Sequence, residues 1–205
     1  MDIDDKVQTK EFSSLLEKLR KQLLDASMYF DALEQIWPTA QVVDVINRYK
    51  GFFQPARKAL FDQFSIKVCN VISNDRRSPS FHKVFKMLDT NPTLAPNIDV
   101  QSLRKRLKQH KTTLTNIDNY RNTRAAHWDI IDVAVGKKPV LYGDSKKMLK
   151  ELQDVFNEIS GASTKNVWSF KVSQHGDATA LLNHLNELRI IHKKRIDELD
   201  SMIKS

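Results

Sequence analysis

Turn residues are scarce in this chain. Five glycines and six prolines among 205 residues are roughly 5% of positions, against ~12% in an average protein. Sandwiches, barrels and propellers need a turn signal every ~8–12 residues, so the scarcity argues against them. Cysteine is nearly absent as well. Cys69 stands alone, which excludes a disulfide scaffold and a cysteine-rich zinc site and fits a reducing compartment. No apolar run approaches the ~20 residues of a spanning helix. Residues 1–10 are acidic and polar with no apolar stretch behind them, unlike a secretory signal. The expectation is a soluble, cytoplasmic protein without membrane partners.

What is present is a helical chain with a positive charge. Apolar residues make up 40% and charged residues 28%, enough for a core in a chain of this length. The net charge of +8 and a pI near 9.5 favour a polyanionic partner, because phosphate neutralisation drives nucleic-acid association. Long stretches lie free of both Gly and Pro, and each carries helical period. Phe12, Leu15, Leu16, Leu19, Leu23, Ala26, Phe30, Leu33 and Trp37 recur at three- and four-residue steps, and Pro38 follows. Phe53, Ala56, Leu60, Phe64, Val68 and Val71 form a second stripe, and Phe81, Val84, Phe85 and Leu88 a third after the Ser78-Pro79-Ser80 turn. A long helical stretch runs from about 99 toward 131. Another spans 145–159 through Met148, Leu149, Leu152, Val155, Phe156 and Ile159, with Gly161 as its expected C-cap. Residues 167–172 alternate loosely, as a short extended piece would. Asp177 is the expected cap of a last helix through Leu181, Leu185, Leu188, Ile191 and Leu199. The reading is a single all-α domain over 1–205, a bundle of five or six helices with its core at about 9–160 and a terminal helix at about 177–203.

Few familiar chemistries find their residues here. None of the six histidines pair at i, i+3 or i, i+4, and no HExxH, cysteine pair or Gly-rich phosphate loop occurs. No metal or cofactor is expected. Two segments stand out instead. Residues 101–111, QSLRKRLKQHK, hold Arg104, Lys105, Arg106, Lys108 and Lys111 without an acid. On a helix these point to several sides, so at most part of the cluster faces one phosphate strip. The other is 118–130, DNYRNTRAAHWDI, with Tyr120, Arg121, Asn122, Arg124 and His127. Arginine is a permanent fork donor for phosphate, and histidine titrates nearest neutrality. Together they supply a base for an RNA 2′-OH and a clamp for a charged phosphorane.

The run Tyr-Arg-Asn-x-Arg-x-Ala-His resembles the signature of HEPN domains: an Arg, four to six residues, then a His, with a polar residue after the Arg. Arg121, Asn122 and His127 occupy those positions. The stretch 51–88 is similar to the second helix and following short helix of the AbiU-type branch, named for phage abortive infection. The N-terminal amphipathic helix and the NVWSFKV segment fit the same branch. The resemblance implies an all-helical bundle and, in active members, a metal-independent endoribonuclease acting as a homodimer. Arg121 and His127 are then the expected catalytic pair, with Asn122 orienting or contacting phosphate. Tyr120, Arg124, Arg104, Lys105, Lys108 and Lys111 are the expected RNA contacts, and an antitoxin protein is a further expected partner. Asp129 stands where HEPN toxins paired with nucleotidyltransferase antitoxins carry a modifiable Tyr, so that form of control is not supported.

On a straight helix, side chains six residues apart are separated by ~240°. Arg121 and His127 would not share a face, whereas Arg124 lies ~60° from His127. Arg121 leads on family grounds and Arg124 on geometry. The same residues also suit a non-catalytic RNA-binding or dimerisation module, or a protein-binding scaffold.

Overall fold

The apolar stripe of the N-terminal segment folds as expected into one long helix. In the computed structural model, which describes residues 3–40, 42–125, 141–171 and 176–204, α1 spans Ile3–Gln35 and buries Phe12, Leu16, Leu19, Leu23, Ala26, Phe30 and Leu33. Seven further α-helices follow among the described residues: α2 (Val43–Arg48), α3 (Lys50–Ile72), α4 (Phe81–Thr90), α5 (Val100–Gln109), α6 (Lys111–Tyr120), α7 (Tyr142–Thr164) and α8 (Asp177–Lys204). A 3-10 turn covers Pro92–Leu94, and the hydrogen bonding after α6 widens into a π turn at Arg121–Ala125. No strand occurs among the described residues. The protein is all-α, with more helices than the five or six expected.

Two units can be distinguished. The first comprises Met1–Met28 and Asp62–Lys171. Each of its helices presents an apolar face at helical spacing: Phe64, Val68 and Val71 from α3, Phe81, Val84, Phe85 and Leu88 from α4, and Leu103 and Ile117 from α5 and α6. α7 adds the full predicted stripe, with Met148, Leu149, Leu152, Val155, Phe156 and Ile159 all buried. Polar bonds tie the helices at the margins. Lys67 donates to Asp25 at 2.7 Å, Gln153 to Ser27 at 2.7 Å, and Asn91 to Gln8 at 2.9 Å. The second unit comprises Tyr29–Phe61 and Val172–Ser205. Its core is Ile36, Val45, Ile46, Phe53 and Leu182, flanked by Val42, Ala56, Leu60, Ala178 and Leu185.

Several local expectations are corrected. The long helix expected from 99 toward 131 breaks at His110, whose φ of −93° and ψ of 10° turn the chain between α5 and α6; the part beyond 125 lies outside the described residues. Asp99 caps α5 as a helix-starting aspartate should, accepting from the amides of Gln101 and Ser102 at 3.0 Å each. Gly161 is not a C-cap. α7 runs on to Thr164, and Lys165 takes the left-handed turn at φ 61°. The returning chain clasps these last turns: Trp168 donates its indole N–H to Ser160, and its backbone N–H to Asn157. That segment belongs to no helix and pairs with no strand through Lys171, and Val172 lies outside the described residues.

The last helix differs most. Leu182, not Leu181, is buried, and Leu181, Leu188, Ile191 and Leu199 remain about half exposed. Its N-terminus is capped from afar rather than by Asp177. The Gln35 side-chain oxygen accepts from the amides of Gly176 and Ala178 at 3.1 and 3.2 Å, while its amide nitrogen donates to Asp31. Gln35→Ala leaves those amides unpaired and is expected to cost about 0.5–2 kcal/mol, the usual range for a lost cap. Hydrogen exchange should report it as faster exchange at Ala178 with α7 amides unchanged.

Candidate nucleic-acid interface

Helix geometry sorts the basic run of α5 into two groups. Arg106 is committed inward: its guanidinium donates to Glu151 at 2.7 Å and to Glu158 at 2.5 Å, both on α7. Those two carboxylates hold its pKa above the ordinary arginine value. Arg104 and Lys108 are four apart on α5, the spacing of one helix face, and Lys111 opens α6 just beyond the turn at His110. All three line a groove of about 840 Å³ in the first unit, together with Arg121 from the π turn. Lys105 does not line it. Arg104 is held at one edge by a two-pronged bond to Asp89, at 3.1 and 2.5 Å, with its guanidinium over the Phe85 ring. Lys108 and Lys111 are exposed and form no ion pair among the described residues.

The groove draws its remaining wall from elements that the sequence did not connect with the motif. His82 from α4 and Asn74 from the preceding turn face it, as do Cys69 from α3 and Thr115 and Asp118 from α6. None of these carried a signal, since His82 lies 39 residues before Arg121 and in an unrelated apolar stripe. Four permanent cations against the single carboxylate of Asp118 leave the lining net positive.

The motif residues form a compact network at the end of α6. Arg121 pairs with Asp118 at 2.9 Å and donates to the Asn122 side-chain oxygen at 3.1 and 2.7 Å. The Asn122 amide nitrogen in turn donates to Asp118 at 3.2 Å. One carboxylate therefore engages both the arginine and the asparagine, in the manner a phosphate oxygen would. The pair is partly exposed, so its worth is about 0–1 kcal/mol and an arriving anion can displace it at small cost. Tyr120 is directed elsewhere: its hydroxyl donates to Asp62 of α3 at 2.6 Å and braces the helix. The Arg124 backbone belongs to the π turn. His127 lies outside the described residues. Because the backbone is π-helical over Arg121–Ala125, the straight-helix angle that favoured Arg124 over Arg121 does not apply at the motif.

Cys69 forms part of the inner wall. Burial pushes its thiol up to about 12; the Arg121 guanidinium pulls against that shift, and Asp118 adds to it by charge and by a hydrogen bond. Among the described residues no group of three or more His, Cys, Asp or Glu is placed to hold a metal ion, and no helix is long and apolar enough to cross a membrane.

An all-helical chain with an Arg-Asn pair at a helix end beside a basic groove has the features of a HEPN-class domain. The family model HEPN_AbiU2 (AbiU2) matches residues 9–181, and the chain belongs to that family of abortive-infection HEPN modules. No curated protein and no solved structure matches significantly.

The thiol makes a testable contribution to stability. Its folded value lies above the ordinary 9.0, so the stabilising effect is complete below that value and is lost as pH rises toward 12. The loss approaches about 1.4 kcal/mol per pH unit in that window. Chemical denaturation between about pH 8 and 10.5 should show wild type losing more stability than Cys69→Ala; parallel profiles would contradict the assignment.

Proposed function

We propose that this HEPN module is a metal-independent endoribonuclease with a phage-defence or toxin role, and that the α5–α6 groove is its RNA track. The observation that carries the reading is the convergence of Arg104, Lys108, Lys111 and Arg121 on one net-positive groove. Scattered basic residues on a solvated surface would not be expected to line one concavity. Family membership and the Arg121-Asn122…His127 spacing support the same reading.

In this mechanism RNA phosphates displace Asp118 and take up the Arg121 fork, a bidentate geometry that lysine cannot supply. His127 accepts the 2′-OH proton or protonates the leaving 5′ oxygen. The 2′ oxygen forms a bond to phosphorus as the bond to the 5′ oxygen breaks, leaving a 2′,3′-cyclic phosphate and a 5′-hydroxyl. Arg121 stabilises the extra charge of the phosphorane, where a positioned cation counts most. Asn122 orients Arg121 or contacts the phosphate itself. Pairing of two copies, with both motifs facing a shared cleft, belongs to the same reading.

A second reading has its own support. Arg121 is already occupied by Asp118 and Asn122, the arrangement expected of a structural network in a non-catalytic RNA-binding module. Purified protein incubated with total RNA in EDTA separates the two. The nuclease reading expects cleavage with cyclic-phosphate and 5′-hydroxyl ends, reduced by roughly 10²-fold or more in His127→Ala and strongly impaired in both Arg121→Ala and Arg121→Lys. Salt-sensitive RNA binding with intact RNA, unaffected by His127→Ala, would support the second reading instead.

A further inference from the structure

We infer that the RNA track does not end at the α5–α6 groove but continues across the first turn of α4 into a second phosphate-binding depression built mainly on α1. The inference rests on the RNA reading above and adds a site that lies away from the motif. The second depression, of about 400 Å³, also belongs to the first unit and is lined by Lys10 and Lys18 of α1, Arg77 of the α3–α4 turn and Lys83 of α4, with Glu11 as its one carboxylate. Four cations therefore face one acid, much as in the α5–α6 groove.

The two depressions share a wall. Asn74, Phe81 and His82 line the first, while Arg77, Pro79 and Lys83 line the second. His82 and Lys83 are consecutive on α4 and so point ~100° apart. A strand leaving the first groove past His82 thus meets the second as soon as it crosses the α4 N-terminal turn.

Two of the four cations of the second depression are free to serve a ligand, and a third is weakly held. Lys10 and Lys18 are exposed and form no ion pair among the described residues. They sit at i and i+8 with Ser14 between, on one face of α1 and ~12 Å apart along its axis. Arg77 pairs with Asp75 at 3.1 Å, but its side chain is 91% exposed, so the pair is weak and open to exchange. Lys83 donates to the Arg76 carbonyl, which holds the turn against α4 and keeps the shared wall in place. Separated cations in an open depression suit a chain of repeated phosphates better than a compact organic ligand, which seeks an enclosed apolar pocket. The partner this chemistry recognises is the phosphodiester backbone of a longer RNA strand.

Binding of labelled 2′-O-methyl oligouridines, which lack the attacking hydroxyl, tests the inference at two lengths, about 6 and about 20 nucleotides, one within and one beyond the ~4–16 nucleotides of small single-strand-binding modules. Lys10→Gln/Lys18→Gln replaces two exposed helical residues and should leave the circular dichroism spectrum unchanged. It is expected to weaken the long oligomer by roughly tenfold and to reduce the slope of log K against log salt by about 1.4, with the short oligomer little affected. Lys108→Gln/Lys111→Gln should weaken both lengths. Unchanged affinity and slope for the long oligomer in the α1 variant, with the groove variant still impaired, would overturn the second site alone. No binding by wild type, or no effect of the groove variant at either length, would overturn the RNA reading and the extension with it.

Discussion

The Arg106 bridge to α7 is the constraint that gives the basic run its meaning. A guanidinium shared between Glu151 and Glu158 fixes the rotation of α5 about its own axis. With that rotation set, Arg104 and Lys108, four apart on one face of α5, turn to the groove, where Lys111 at the start of α6 joins them. Had α5 been rotated by a third of a turn, its four cations would be distributed differently between solvent, α7 and the groove. The positive charge of the groove is thus a consequence of one cation being used up elsewhere.

Much of the fold was legible because burial repeats. The stripes of α1, α3, α4 and α7 were read from spacing alone and most of their residues are buried; Leu15, Ala56 and Leu60 are only partly so, and Trp37, beyond the end of α1, is exposed. What escaped were features decided by tertiary context. The break at His110 has neither Gly nor Pro to announce it. The helix α7 passes through Gly161 because Asn157 and Ser160 are held by the returning Trp168, and α8 is capped by a glutamine far away in sequence. In α8 the apolar period was real, but only Leu182 and its partly buried neighbours face the core; periodicity identifies an apolar face without saying that anything covers it.

The candidate site was legible to a different degree. Arg121, Asn122 and the α5 cations were named from residue type and spacing, and the groove brings most of them together. Lys105 and Tyr120 were named on the same grounds and face elsewhere. His82 and Asp118 were not singled out and Cys69 was noted only as the lone cysteine, since proximity across α3, α4 and α6 leaves no trace in local sequence. Asp118 in particular changes the chemistry of the motif: it keeps the Arg121 fork oriented but occupied, so phosphate binding becomes an exchange of one oxyanion for another.

The distant cap of α8 has a consequence for how the chain is built. Gln35 and Gly176 are separated by 141 positions, and the second unit takes its two parts from either side of residues 62–171. During synthesis at ~5–20 residues per second, every helix of the first unit emerges before the first residue of α8. The second unit must wait half-made, with Val45, Ile46 and Phe53 lacking Leu182 as a partner. Closing so long a loop carries an entropic cost that local helix formation does not, so its assembly is expected to be the last step of folding.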